Sequence, residues 1–473
     1  MSSICRKGHI DAAIYEHHLS RRAAENFKYR DVWGPREKSM ANPWSPETPM
    51  GRSIILRLAE NSLLHDEMGQ FIKEQINVLP LSHLTYSTGP RGSCRLRRAA
   101  AAFLNEEFHS LQTIAQDNIF VTPGLASAID ALIWAICNDG DGILVPQPYY
   151  NGFDFDTLNR SNGRVIGVKY EGIEGFSELD DLFRPDVNKR ALEVALREAK
   201  KNGITIRALL ISNPHNPLGR CYPPKTLLEF ASFCGKNQLH VISDEIYAKS
   251  VFLNAALSSP TPFVSILALD IHKVIELNLT HVLYGASKDF CANGLRLGLV
   301  CTNNEGLIGA LSSISMFSWS PHVLQDVWAA MLEDRQQTII SQRPSSGNVV
   351  LATTRCKYTS TCNRPHGLIA STNAGLFIWV DLRHLLIPES SRDQTGYREL
   401  RVTSPDASVY KQREQRFADI CAQNGLMIAP GSIYAAEEFG WFRLTFTVGK
   451  NALEEGLKRL DKSLKAAETD LRI

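Results

Sequence analysis

The chain has 473 residues, 44% apolar and 21% charged, with 51 basic against 50 acidic side chains and a net charge of +1. That length exceeds one ordinary core and predicts two or more packed units, while the near-neutral balance excludes the electrostatic footprint of a nucleic-acid binder. The longest apolar stretches, IDALIWAIC among them, fall short of the ~18 residues that span a membrane. The first residues, MSSICRKGHIDAAIYEHH, lack the apolar run of a secretory signal, and ten cysteines are scattered without CxxC spacing. A cytoplasmic protein with reduced thiols is therefore expected, with neither a disulfide framework nor a cysteine zinc site.

Residues 1–50 are polar and carry the proline cluster ANPWSPETPMG, which predicts an irregular lead-in. From about residue 95 helices and strands alternate. LRRAAAAFLNEEF predicts a helix and IFVT (119–122) a strand. The next helix carries an apolar stripe at Leu125, Ile129, Leu132 and Ile136 and ends at NDGDG. ILV (143–145) and VIGV (165–168) are short strands, and RALEVALREAKKNG is a helix closed by Gly203. RALLIS (207–212) and LHVIS (239–243) are strands separated by the helical TLLEFASFCGKNQ; HVLYG and LGLVC are two more. This alternation over more than 200 residues predicts a mainly parallel α/β sheet. The window 335–370 lacks helical periodicity and is rich in Ser, Thr and Arg. Beyond it, NAGLFIWVDLRHLL, GLMIAPGSIY and GWFRLTFTV predict the strands of a second, α+β unit, closed by the helix ALEEGLKRLDKSLKAAE.

Ligands of an open α/β sheet bind beyond the carboxyl ends of its strands. After IFVT comes Pro123-Gly124-Leu125-Ala126-Ser127, opening a helix. After ILV comes PQPYYNGF, with Tyr149 and Tyr150. After RALLIS comes NPHNPLG, after LHVIS come Asp244 and Tyr247, and after HVLYG come Ser287 and Lys288. Singly, each has an ordinary explanation: a turn glycine, half-buried tyrosines, a rigid proline loop, a capping aspartate, a solvated lysine. At successive strand ends they form a set whose chemistry matches pyridoxal phosphate. A lysine amine captures the cofactor's aldehyde as a Schiff base, and a buried aspartate keeps its ring nitrogen protonated. Asn and Tyr donors suit its phenolic oxygen, an aromatic ring its flat face, and a helix N-terminus with an arginine its phosphate.

The chain resembles the class I aminotransferases of fold type I, and within them the 1-aminocyclopropane-1-carboxylate (ACC) synthase-like branch, over roughly residues 40–335 and 371–465. The motifs are SKDFCANGLRLG, SDEIYA, NPHNPLG, PQPYYNGFDFD, LAEN, NAGLFIWVDLRHLL and GWFRLTFTV, in the family's order. The resemblance implies a fold type I pyridoxal phosphate enzyme. Its large α/β domain (86–325) would hold a mainly parallel seven-stranded sheet. The smaller α+β domain would be built from both chain ends, 1–85 and 326–473. It implies a homodimer with active sites at the subunit interface.

Residue by residue, the resemblance implies that Lys288 binds the aldehyde and moves the Cα proton. Asp244 would pair with the ring nitrogen, while Asn216 and Tyr247 face the ring oxygen and Tyr150 the ring. Gly124, Leu125, Ala126, Ser287 and Arg296 would hold the phosphate, with Tyr86 reaching that of the neighbouring subunit. Arg443 would bind the substrate α-carboxylate, and Glu60 and Tyr149 would contact substrate. Gly285 stands where the family usually has a phosphate-binding serine, so one hydroxyl contact is expected to be missing. Residues 335–370 depart from the family's long charged helix, with Pro344 and Gly347 as breakers; a locally altered reading frame would produce such a window. The resemblance implies an enzyme acting on an α-amino acid and favours transamination. The same branch includes ACC synthases, which act on S-adenosylmethionine, and C–S β-lyases of fungal secondary metabolism. A non-catalytic regulator on the same fold is the reading from another class.

Overall fold

The computed structural model describes Tyr15 and residues 42–48, 52–76, 81–86, 88–254, 257, 259–334, 372–387 and 400–470. The atypical window 335–370 and all of the first 41 residues except Tyr15 lie outside the described residues.

Strand β1 (Ile54–Ile55) precedes the seven that form the main sheet: β2 (Ile119–Thr122), β3 (Gly142–Pro146), β4 (Arg164–Val168), β5 (Ile206–Ser212), β6 (His240–Asp244), β7 (Thr280–Gly285) and β8 (Gly298–Thr302). Their order is β2-β8-β7-β6-β5-β3-β4. Only β8 runs against its neighbours β2 and β7, so the carboxyl ends of the other six share one edge. The strands are short apolar runs because both faces are covered. Successive side chains point to opposite faces. Leu144, Leu209, Val241, Val282 and Tyr284 enter one core; Ile143, Leu210, Ile242 and Leu283 enter the other, with the helix Leu125–Ile136 packed over them.

The second unit is assembled from distant parts of the chain. Strands β9 (Phe377–Asp381), β10 (Leu426–Met427), β11 (Ala429–Pro430) and β12 (Trp441–Thr445) follow in order. β12 lies between β11 and β9 in an antiparallel sheet, and β1 pairs in parallel with β10. Ile54 and Leu56 thus join Ile378, Val380, Phe442 and Leu444 in one core under the helices Ala407–Gln423 and Lys450–Asp470. The backbone beyond β1 continues across to the main sheet, which brings Arg57, Ala59 and Glu60 beside the strand ends. Among the described residues, no helix is long and apolar enough to cross a membrane.

Candidate active site

A cavity of about 560 Å³ opens at the shared strand edge, walled by both units. That volume is in the range that encloses a small molecule.

Lys288 follows β7 by three residues and is half-buried. Its Nζ donates to the Ala59 carbonyl at 2.5 Å. Burial, and then the Arg443 cation, push its ammonium down to about 8, against the pull of Glu60 and Asp244. Asp244 ends β6, is 7% exposed, and lines the same cavity. Burial lifts its carboxyl to about 7, although the Ile246 N–H donates to it at 3.1 Å and Lys288 pulls it down. A carboxylate held this way favours a cationic partner. Glu60 stands at the edge of the site, where it accepts from Asn293 Nδ2 at 3.0 Å.

At the other end of the cavity, Gly124 caps the helix Leu125–Ile136. The first N–H groups of that helix, those of Leu125, Ala126 and Ser127, have no intrahelical acceptor and sit at the positive end of the dipole. Arg296 lies across this end. Its Nη1 donates to the Asn293 carbonyl at 2.8 Å, and it makes no ion pair among the described residues. Gly124 has φ +86°, and a Cβ there would sit 2.5 Å from Arg296 Nη2. The glycine therefore allows both the turn and the approach of the guanidinium. Ser287 lines the cavity nearby.

Arg443 enters from β12. It is only 3% exposed, yet no carboxylate lies in ion-pair range among the described residues. Its Nη1 donates to Asn216 Oδ1 at 2.9 Å and its Nη2 to the Arg57 carbonyl at 2.7 Å. The Phe377 and Tyr434 rings flank the guanidinium at 4.7 and 4.8 Å. A buried cation without a counter-charge fits an anionic ligand. With Oδ1 of Asn216 taken by Arg443, Nδ2 remains as its donor. Tyr247 is buried against the edge of Phe377 and lines the cavity, and burial pushes its phenol up. Tyr150 also lines it, its ring folded over Gly152, where a Cβ would sit 2.2 Å from Cε1.

One expected substrate contact stands outside the cavity. Tyr149 is buried behind the cavity wall rather than in it, its hydroxyl donating to Asp154 Oδ1 at 3.1 Å. Its ring belongs to the buried apolar cluster that includes Ile129 and Leu132 of the helix Leu125–Ile136. Tyr86 is 88% exposed, with its ring edge-on to Trp319. Four contributors escape sequence reading: the Ala59 and Arg57 carbonyls, which are backbone groups, and Asn293 and Tyr434. Asn293 lies inside the motif SKDFCANGLRLG, so its position was the available signal. Gly285 also reads differently in three dimensions. A Cβ there would sit 2.7 Å from Leu125 Cδ1 and 2.8 Å from the Leu297 carbonyl. The space for a serine is already filled.

An amine of lowered pKa, a buried carboxylate that favours a cation, a spare amide donor and an anion cradle converge on one cavity. This set fits pyridoxal 5′-phosphate. Comparison with known proteins agrees. Residues 53–460 match the aminotransferase class I and II family. The chain is 30% identical to the probable aminotransferase sirI of Leptosphaeria maculans, over 88% of this chain and 92% of that one. It is 28% identical to 1-aminocyclopropane-1-carboxylate synthase 1 of Cucurbita pepo, over 92% and 83%. The fold is similar to an aspartate aminotransferase from Thermus thermophilus solved with maleate, with TM-score 0.68 and 20% identity, over 94% of this chain and 99% of that one. The chain belongs to the aminotransferase class I and II family and is a pyridoxal-phosphate-dependent enzyme.

Proposed function

We propose that the protein is an aminotransferase acting on an α-amino acid, and that it works as a homodimer. One observation carries the substrate class: Arg443 is buried, oriented by Asn216 and the Arg57 carbonyl, and has no acidic partner among the described residues. A guanidinium fixed in this way takes a carboxylate in bidentate fashion.

Bound pyridoxal phosphate supplies an aldehyde that captures amines and a ring that accepts the electron pair released at the substrate α-carbon. This chain's residues do the rest. Arg443 holds the carboxylate and so fixes how the α-carbon faces Lys288. Burial lowers the Lys288 amine to about 8, so its unprotonated fraction near neutral pH is far larger than that of a free lysine, and it takes the Cα proton as a general base. Lys288 then holds that proton for return. Asp244 would keep the ring nitrogen protonated through its negative charge. Gly124, Leu125, Ala126, Ser287 and Arg296 would bind the phosphate, and Tyr150 would cover the ring. Asn216 and Tyr247 would donate to the ring oxygen. Asn293 keeps Glu60 beside the lysine.

The dimer is supported by an exposed apolar group. Leu84, Tyr86 and Phe317 are 85%, 88% and 86% exposed, and Tyr86 touches Trp319. A second copy covering this group would remove it from water and carry Tyr86 toward the neighbouring phosphate. Sedimentation of the purified protein tests this; a monomer at micromolar concentration would contradict it.

The reaction is tested by incubating the loaded enzyme with a panel of amino acids plus a 2-oxo acid acceptor, and with S-adenosylmethionine alone. A new amino acid formed with a matching 2-oxo acid supports transamination. Release of thiol with pyruvate, or of 1-aminocyclopropane-1-carboxylate, overturns it in favour of a lyase.

A further inference from the structure

His322 and Asp326 lie one turn apart on the helix His322–Glu333, a spacing that puts both side chains on one face. Against that face stands His83, from the short turn Leu81–Leu84. His83 Nε2 lies 2.9 Å from Asp326 Oδ2, and His322 Nε2 lies 3.8 Å from Asp326 Oδ1. The two imidazoles meet edge-on, with centroids 4.5 Å apart. Each of the three residues offers a ligand atom within 4.8 Å of the other two. We propose that His83, His322 and Asp326 form a binding site for a divalent transition-metal ion, outside the cofactor cavity.

The donor set and its surroundings carry this. The three side chains are 4%, 15% and 14% exposed, so the group is largely withdrawn from water. His83 Nδ1 is buried and has no hydrogen-bond partner among the described residues. Among the described residues, two other groups face Asp326. Ser93, the N-cap of the helix Cys94–Glu107, donates to Oδ1 at 3.3 Å. Arg95 Nη1 stands 3.8 Å away, but that guanidinium is held on Glu333 at 3.3 and 2.7 Å. Glu333 thus meets most of the Arg95 charge, and the Asp326 carboxylate stands beside two imidazoles as a donor set for a cation. Two nitrogens and one oxygen suit zinc, cobalt or nickel rather than calcium or magnesium. Zinc bonds of about 2 Å place tetrahedral ligand atoms roughly 3.3 Å apart. Side-chain rotations on the order of an ångström would close the set, with water as the fourth ligand.

Such an ion would tie the Leu81–Leu84 turn to the helix His322–Glu333, two residues before the exposed Tyr86. Its role would be positional. The alternative is a His–Asp hydrogen bond that fastens the turn without metal.

The test is calorimetric titration of metal-free, cofactor-loaded protein with Zn²⁺, repeated on His322→Ala and Asp326→Asn. Neither residue touches the cofactor cavity, and both variants should keep the cofactor content of the wild type. The proposal expects one saturable equivalent per chain, weakened by at least about tenfold in either variant. It also expects a rise in thermal midpoint with Zn²⁺ that His322→Ala loses. The absence of a saturable equivalent in the wild type overturns the proposal, as does binding by either variant as tight as that of the wild type.

Discussion

Leu125 fills the space that a side chain at residue 285 would need. A Cβ on Gly285 would lie 2.7 Å from Leu125 Cδ1, and one on Gly298 would lie 2.9 Å from the same atom. Gly285, where the family usually has a serine, is therefore matched by the leucine at the helix start. Gly285→Ser overpacks the site. The expected cost is about 1–3 kcal/mol of stability, with weaker cofactor binding. Leu125→Ala combined with Gly285→Ser should recover part of that loss, because the Leu297 carbonyl still stands 2.8 Å from the new Cβ. Denaturation of both single variants and the double variant checks this. Strict additivity would contradict the coupling.

The anion cradle makes a prediction about the phosphate alone. Arg296→Lys loses the planar fork, and Gly124→Ala drives a methyl into the Arg296 guanidinium at a backbone angle of +86°. A charge-assisted hydrogen bond contributes about 1.5–3 kcal/mol. Either variant should therefore bind pyridoxal 5′-phosphate roughly tenfold to hundredfold more weakly. Binding of pyridoxal, which lacks the phosphate, should change little. Equal losses for the two ligands would mean the site had been damaged in general.

Arg443→Lys keeps the charge but abandons the bidentate geometry. The expected result is a KM for the amino acid raised roughly tenfold to hundredfold, with a smaller change in kcat. Steady-state kinetics against the preferred amino acid reads this directly. An unchanged KM would remove Arg443 from substrate binding.

Asp244 predicts a pH effect in the cofactor-free protein. Burial raises its carboxyl to about 7, against about 3.9 in an unfolded chain. Between these values the folded state binds more protons than the unfolded one, so this group's contribution to stability falls as pH rises. Asp244→Asn removes that contribution. Denaturant unfolding at pH 5 and pH 8 should show the variant gaining on the wild type at the higher pH. A difference independent of pH would contradict the burial argument.

Most of the fold was legible because its strands are short, doubly buried apolar runs. IFVT and RALLIS read as strands and occur as Ile119–Thr122 and Ile206–Ser212. Asp244 and Lys288 were legible because they follow such runs directly. What stayed hidden depends on contacts between distant segments. No sequence pattern announces that the Ala59 carbonyl accepts from Lys288, since every residue has a carbonyl. The pairing of Leu125 with Gly285 is a fact about volume, so Gly285 read singly is only a lost contact. Tyr149 and Tyr150 are adjacent and chemically identical, yet the turn before the helix Gly152–Leu158 sends one into the core and the other into the cavity.

The central claim is that Lys288 holds the cofactor. Borohydride reduction of the loaded protein, followed by peptide mass spectrometry, tests it most directly. The account predicts a single pyridoxyl group on Lys288, and none in the Lys288→Ala variant. A group on another lysine in the wild type, or no group at all, would contradict it.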